Sequence, residues 1–276
     1  MLTISGMSSR LALSLIDRTQ AKQLDQLAQE PQHARAISRF REKIGDIHTA
    51  ADLVKDYDAY SFVMKAFDLE DQMFGKAMMR EILSSDPTDK SSLVNRLTDP
   101  RFRKLYDALG FTNGGTANAN TSSASWQDKI VDQYVSQQFI NGERDQNETV
   151  GSVLEFRQKL GGVKTWYSVL KDKDMAQFMR TALGIPNDVV KLDVERQKQI
   201  FEDKFDLAKL KDPKEVDDLV SRFVAVSDAN NFSIGGAAGN AAVTLMQGAV
   251  QGGSGQFVPA TFDLTAIATF SASRYR

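Results

Sequence analysis

The strongest constraint on the fold is internal, because the chain matches itself at a shift of 116 residues (152 − 36). Residues 36–69 align with 152–185 without a gap, and ten of the 34 pairs are identical. Average composition would give about two. The shared letters include Phe40/Phe156, Lys43/Lys159, Gly45/Gly161, Thr49/Thr165, Asp56/Asp172, Asp58/Asp174 and Phe62/Phe178. The match resumes at a shift of 126 (212 − 86), with Asp86-Pro87 on Asp212-Pro213 and Leu93-Val94 on Leu219-Val220. Self-similarity of this kind reads as one helical unit used twice. The ten extra residues (126 − 116) place an insertion within 186–211 of the second copy.

The repeated positions behave as helix punctuation. Ile37, Phe40 and Ile44 recur as Val153, Phe156 and Leu160, one apolar stripe at i, i+3, i+7. Gly45 and Gly161 follow directly, where a left-handed C-cap favours glycine. Thr49 and Thr165 suit the N-cap of a short helix, and Asp58 and Asp174 the cap of the next. That next helix carries Ala59, Phe62, Val63 and Ala66 in one copy and Met175, Phe178, Met179 and Ala182 in the other. Both sets are apolar at i, i+3, i+4, i+7 and predict a central core helix. Asp86-Pro87 and Asp212-Pro213 read as N-cap followed by proline at the first helical position. Long helices are expected over 10–29 and 126–139, and the fold class is all-α and multihelical.

The resulting organisation is a first helical repeat with its N-terminal helix (1–111), a low-complexity linker (112–125), a second repeat (126–230) and a Gly/Ala-rich tail with an apolar end (231–276). The linker, TNGGTANANTSSAS, has no apolar side chain larger than alanine, so it reads as a connector or mobile loop. Residues 231–255 hold seven of the 18 glycines and no charged residue, with a weak helix near 241–246. The only β-like alternation lies in 256–270.

Chemistry is sparse. With 34 basic and 36 acidic residues the net charge is −2, which gives no overall field for nucleic acid. The absence of cysteine excludes disulfides, thiolate zinc sites and cysteine nucleophiles. No run is long and apolar enough to span a bilayer, and the N-terminus reads as helix and not as a signal peptide. The two histidines, His33 and His48, are not spaced as a metal pair and read as surface or capping residues. The best carboxylate candidates are the paired aspartates of Lys55-Asp56-Tyr57-Asp58 and Lys171-Asp172-Lys173-Asp174, able in principle to hold a divalent cation. Recurrence in both copies favours helix capping instead. Gly235-Gly236-Ala237-Ala238-Gly239 lacks the spacing of a phosphate loop. No catalytic, metal or cofactor-binding residue is therefore assigned, and no cofactor is expected.

Phe40-Arg41-Glu42-Lys43-Ile44-Gly45-Asp46-Ile47, Lys65-Ala66-Phe67-Asp68-Leu69-Glu70-Asp71 and Asn95-Arg96-Leu97-Thr98-Asp99-Pro100-Arg101-Phe102 resemble the domain of unknown function 1217 family. Residues 155–161 and 170–184 resemble it more loosely. The resemblance implies a multihelical fold, an alphaproteobacterial origin and a setting beside flagellar genes; it implies no reaction. The family pattern would place glycine where Asp68 stands. These readings together lead to a non-enzymatic interaction or assembly protein of the bacterial flagellum, with protein partners and a cytoplasmic location or export through the flagellar system. The alternatives are a metal-dependent enzyme using the paired aspartates and an exported structural component. Two segments look unfinished alone. The stripe Leu13, Ile16, Leu24 and Leu27 is narrow enough for self-association through the N-terminal helix, and the tail carries Phe257–Phe270 side chains able to meet a partner or fold back.

Overall fold

The computed structural model describes residues 2–235, with side chains to residue 231. The described residues are 73% helical, with thirteen α-helices among them and no strands. Residues up to Asn230 form one compact unit. The expectations for the glycine-rich stretch, the helix near 241–246 and the segment 256–270 lie outside the described residues.

The helical stretches expected from periodicity appear as α1 (Ser9–Gln29) and α8 (Ala124–Gln146). Around them, α2 (Pro31–Ile44), α3 (Ala50–Lys55) and α4 (Tyr57–Ala66) correspond at the 116-residue shift to α9 (Glu148–Leu160), α10 (Trp166–Lys171) and α11 (Lys173–Leu183). The starts of α3 and α10 coincide because each is set by a capping box. Thr49 accepts from the Asp52 amide and Asp52 answers on the Thr49 amide; Thr165 and Ser168 repeat the exchange.

Stacked rings centre two parts of the core. Phe40 and Phe62 stack with centroids 4.3 Å apart, and Phe62 stacks on Tyr134 of α8 at 4.1 Å. Phe156 and Phe178 stack at 3.8 Å, and Phe178 on Phe223 at 4.2 Å. Phe223 lies on α13 (Pro213–Gly235). All eight predicted positions of the α4 and α11 stripes are buried. Connecting elements are α5 (Lys76–Leu83), α6 (Leu93–Arg96) and α7 (Pro100–Leu109), and in the second half α12 (Val194–Lys204) flanked by 3-10 turns. The latter lies within 186–211 and packs on α10 through Trp166 and Phe201, centroids 5.1 Å apart.

Several local expectations are corrected. Gly45 and Gly161 are right-handed (φ −63° and −62°), because the chain continues into tight turns there. The left-handed helix ends fall at Gly110 and Gly184 instead, with φ of 67° and 64°. The caps of α4 and α11 are Asp56 and Asp172, two residues before the predicted Asp58 and Asp174: Asp56 accepts from the Ala59 amide at 2.9 Å, and Asp172 from Asp174 and Met175 at 3.2 Å. Asp58 and Asp174 sit inside the first turn, where a negative charge still complements the helix dipole. Asp212 does cap α13, accepting from Lys214 at 2.9 Å, but Asp86 caps no helix. It closes a turn by accepting from Thr88 at 2.8 Å.

The 112–125 segment is not the loosely ordered stretch its composition suggests, since polar bonds replace apolar burial. Its Gly115 carbonyl accepts the Ala50 amide at 2.8 Å, and Asn118 donates to the Leu109 carbonyl at 2.8 Å. A Cβ on Gly115 would lie 2.5 Å from the Ser84 hydroxyl, so only glycine fits. The α1 stripe also differs from a free seam. Leu13, Ile16 and Leu27 are buried against the same chain, with Leu24 packed beside them. Self-association through that stripe therefore has no open face to use.

Candidate functional site

A cleft of about 750 Å³ lies where the turn after α4 and the start of α7 face α9, α10 and α11. Its lining is ionic, including Asp68, Asp99, Arg101, Arg144, Lys159, Asp172 and Asp174. On one wall, Lys159 Nζ stands among three carboxylates. It contacts Glu155, lies 2.9 Å from Asp172 and 3.4 Å from Asp174. Glu155 is one helical turn before it on α9 and is 3% exposed. Arg144 of α8 reaches the other Glu155 oxygen. Burial alone would push Glu155 up, but Lys159 and Arg144 outweigh it and hold the carboxyl below its usual range. Burial likewise opposes the Lys159 ammonium, and the Glu155 and Asp172 charges outweigh it, so its pKa rises. Desolvation and the nearby Glu155 charge push Asp174 up.

On the opposite wall Asp99 caps α7, accepting from the Arg101 amide at 2.9 Å. The Arg101 guanidinium grips the same carboxylate at 2.8 Å and lies 3.6 Å from Asp71. It also donates to the Asp68 carbonyl and lies 3.4 Å from its carboxylate. Burial raises the pKa of Asp68, which Arg101 only partly offsets. Asp68 has φ of 56°, in the left-handed region that favours glycine. The residue 116 positions on is Gly184, with φ of 64°. Asp68 thus carries its carboxylate at a backbone conformation that glycine adopts most freely.

This arrangement clamps elements together. The paired aspartates divide as the repeat predicts only in part: Asp56 caps and Asp58 meets Arg39 at 3.5 Å on the surface, whereas Asp172 and Asp174 both turn to Lys159. The difference comes from position 39, an arginine whose counterpart 116 residues on is Glu155. Arg101, Arg144, Glu155 and Lys159 were not singled out from sequence. The available signal was a glutamate and lysine at i, i+4 beside the buried stripe of α9. Of the histidines, His48 is exposed, but His33 is buried and not on the surface as expected. Its Nδ1 lies 2.9 Å from the Tyr134 hydroxyl. Burial lowers the His33 pKa and pushes Tyr134 up to about 12. No helix among the described residues is long and apolar enough to cross a membrane.

A protein of Agrobacterium tumefaciens known from an X-ray crystal structure has a similar fold, with a TM-score of 0.71 and 28% identity over 84% of this chain and 98% of that one. A comparison with curated proteins gives no match. The family model described as "Protein of unknown function (DUF1217)" matches residues 66–216, more than half of the sequence, and the chain belongs to that family.

Proposed function

We propose that the chain is a non-enzymatic interaction or assembly protein of the bacterial flagellar system, built by duplication of one helical unit. The observation that supports the first part is the commitment of the cleft's carboxylates. Glu155, Asp172 and Asp174 surround the Lys159 ammonium, and Asp68, Asp71 and Asp99 surround Arg101. Groups held this way stiffen a scaffold and are poorly placed to exchange protons with a substrate. The flagellar setting rests on the family resemblance alone. The duplication rests on ten identities in 34 and on helix bounds that correspond at one shift.

A clean deletion scored for swimming and filament assembly tests the setting: impaired motility restored by the wild-type gene is expected, and normal swimming with normal filaments would overturn it. The metal-enzyme alternative makes a different forecast. Mg²⁺, Mn²⁺ or Ca²⁺ would raise the melting temperature, and Asp56→Ala or Asp172→Ala would abolish that rise. Detection of the chain in purified filaments or culture medium would favour the exported structural alternative.

A further inference from the structure

The two units share their core but differ on one surface. Between α2 and α4, with Tyr134 of α8 beneath, lies a groove of about 310 Å³. Its cations are Arg35, Arg39 and Lys65. The residues 116 positions on are Gly151, Glu155 and Thr181, so all three cations belong to the first unit alone. The second unit cannot accept the first of them. Gly151 packs against α8 so closely that a Cβ would lie 2.3 Å from Arg144 Cβ. Arg35, in contrast, is exposed. The whole of α2 follows this divergence, with four basic residues and one acidic, while α9 has two of each. A helix carrying a net +3 stands out on a chain of net charge −2.

We infer that this groove is a docking site for acidic side chains, aspartate or glutamate, of a protein partner. The inference deepens the interaction reading above and rests on it. The groove's present ion pairs reach solvent and are exchangeable. Arg39 and Asp58, 3.5 Å apart, have side chains 62% and 39% exposed, and Lys65 meets Glu70 at 3.3 Å. An incoming carboxylate matches the planar fork of an arginine. Tyr57, 64% exposed at the groove edge, supplies the aromatic contact that interfaces favour next to arginine. A nucleic-acid backbone fits less well. Its charges repeat along a line, and here Asp58 lies inside the groove among the cations.

The test uses the full chain and a fluorescein-labelled hexaglutamate peptide, read by fluorescence anisotropy. Saturable binding that weakens as salt rises is expected. Arg35→Glu with Lys65→Glu should weaken it at least tenfold, Arg35→Gln alone about threefold, and Lys90→Glu, an exposed cation elsewhere, less than twofold. Circular dichroism melts verify that each variant folds, and the neutral Arg35→Gln keeps the test decisive if the double reversal does not. An oligothymidylate of the same charge should bind more weakly. No saturable peptide binding, an equal loss with Lys90→Glu, or tighter oligonucleotide binding would overturn the inference. Failure here with a deletion strain that cannot swim removes the groove and leaves the flagellar reading. Peptide binding with a deletion strain that swims normally does the reverse.

Discussion

Replacing Lys159 with methionine isolates the central clamp of the second unit. The lysine side chain is 10% exposed, Glu155 3% and Asp172 9%, so the charges are almost entirely out of water. Methionine keeps the aliphatic volume and removes the ammonium. Glu155 then retains Arg144, while Asp172 retains only its capping amides. Removing one partner of a buried pair costs about 3–5 kcal/mol; the surviving Arg144 contact places Lys159→Met near the lower end. The internal control is the exposed pair at the corresponding place in the first unit. Arg39→Ala should change stability by about 0–1 kcal/mol. Urea unfolding followed by circular dichroism at pH 7 supplies both values. The pH dependence adds a sign. Glu155 is held below its ordinary value of 4.5 in the folded chain, so its contribution is present above that value and is lost as pH falls through the folded pKa. The gap between wild type and Lys159→Met should therefore narrow as the solution is taken from pH 7 to below pH 4.5. A loss under about 1 kcal/mol at pH 7, or an equal loss for Arg39→Ala, would refute the assignment of Lys159 as the buried hub.

Three further outcomes follow from the geometry. Asp56→Ala and Asp172→Ala should each lower stability by about 0.5–2 kcal/mol in urea melts, more than Asp58→Ala or Asp174→Ala, because the first two accept the free amides of α4 and α11; equal losses would return the capping role to the second aspartate. Asp68→Gly should be neutral or stabilising by up to ~1 kcal/mol, since glycine adopts φ of 56° freely and the Arg101 bond to the backbone carbonyl remains; a clear loss would mean that the Asp68 carboxylate, not the turn, holds Arg101. His33 has a lowered pKa, so the unfolded chain takes up its proton first as pH falls below 6.5. Stability should drop from that point downward, and His33→Gln should flatten the slope between pH 7 and pH 5, measured by melting temperature; an unchanged slope would assign it elsewhere.

What was legible in the residues was local and periodic. The core stripes of α4 and α11, the Thr49 and Thr165 caps and the two flanking helices all follow from side-chain type at fixed spacing along one helix. The same local logic placed the caps of α4 and α11 to within two residues but chose between Asp56 and Asp58, and between Asp172 and Asp174, wrongly. Both members of each pair are capable caps, and the choice depends on where the preceding short helix stops. The composition of 112–125 misled for a related reason. Burial of apolar area is only one way to order a segment: Gly115 is held by its bond to the Ala50 amide and close approach to Ser84, and Asn118 by its bond to the Leu109 carbonyl.

The sequence by itself determined an all-helical chain, because helix period and capping are short-range properties written in neighbouring residues. Only the tertiary structure decided which charges meet. Lys43 and Lys159 occupy equivalent positions, yet Lys159 alone becomes a buried hub, because Glu155 replaces Arg39 and Arg144 arrives from α8 beside it. Arg101 reaches Asp68 across 33 residues of chain, and Tyr134 reaches His33 across 101. Ion pairs and buried hydrogen bonds of that range depend on how whole helices pack, and packing brings together residues whose separation along the chain carries no period to read.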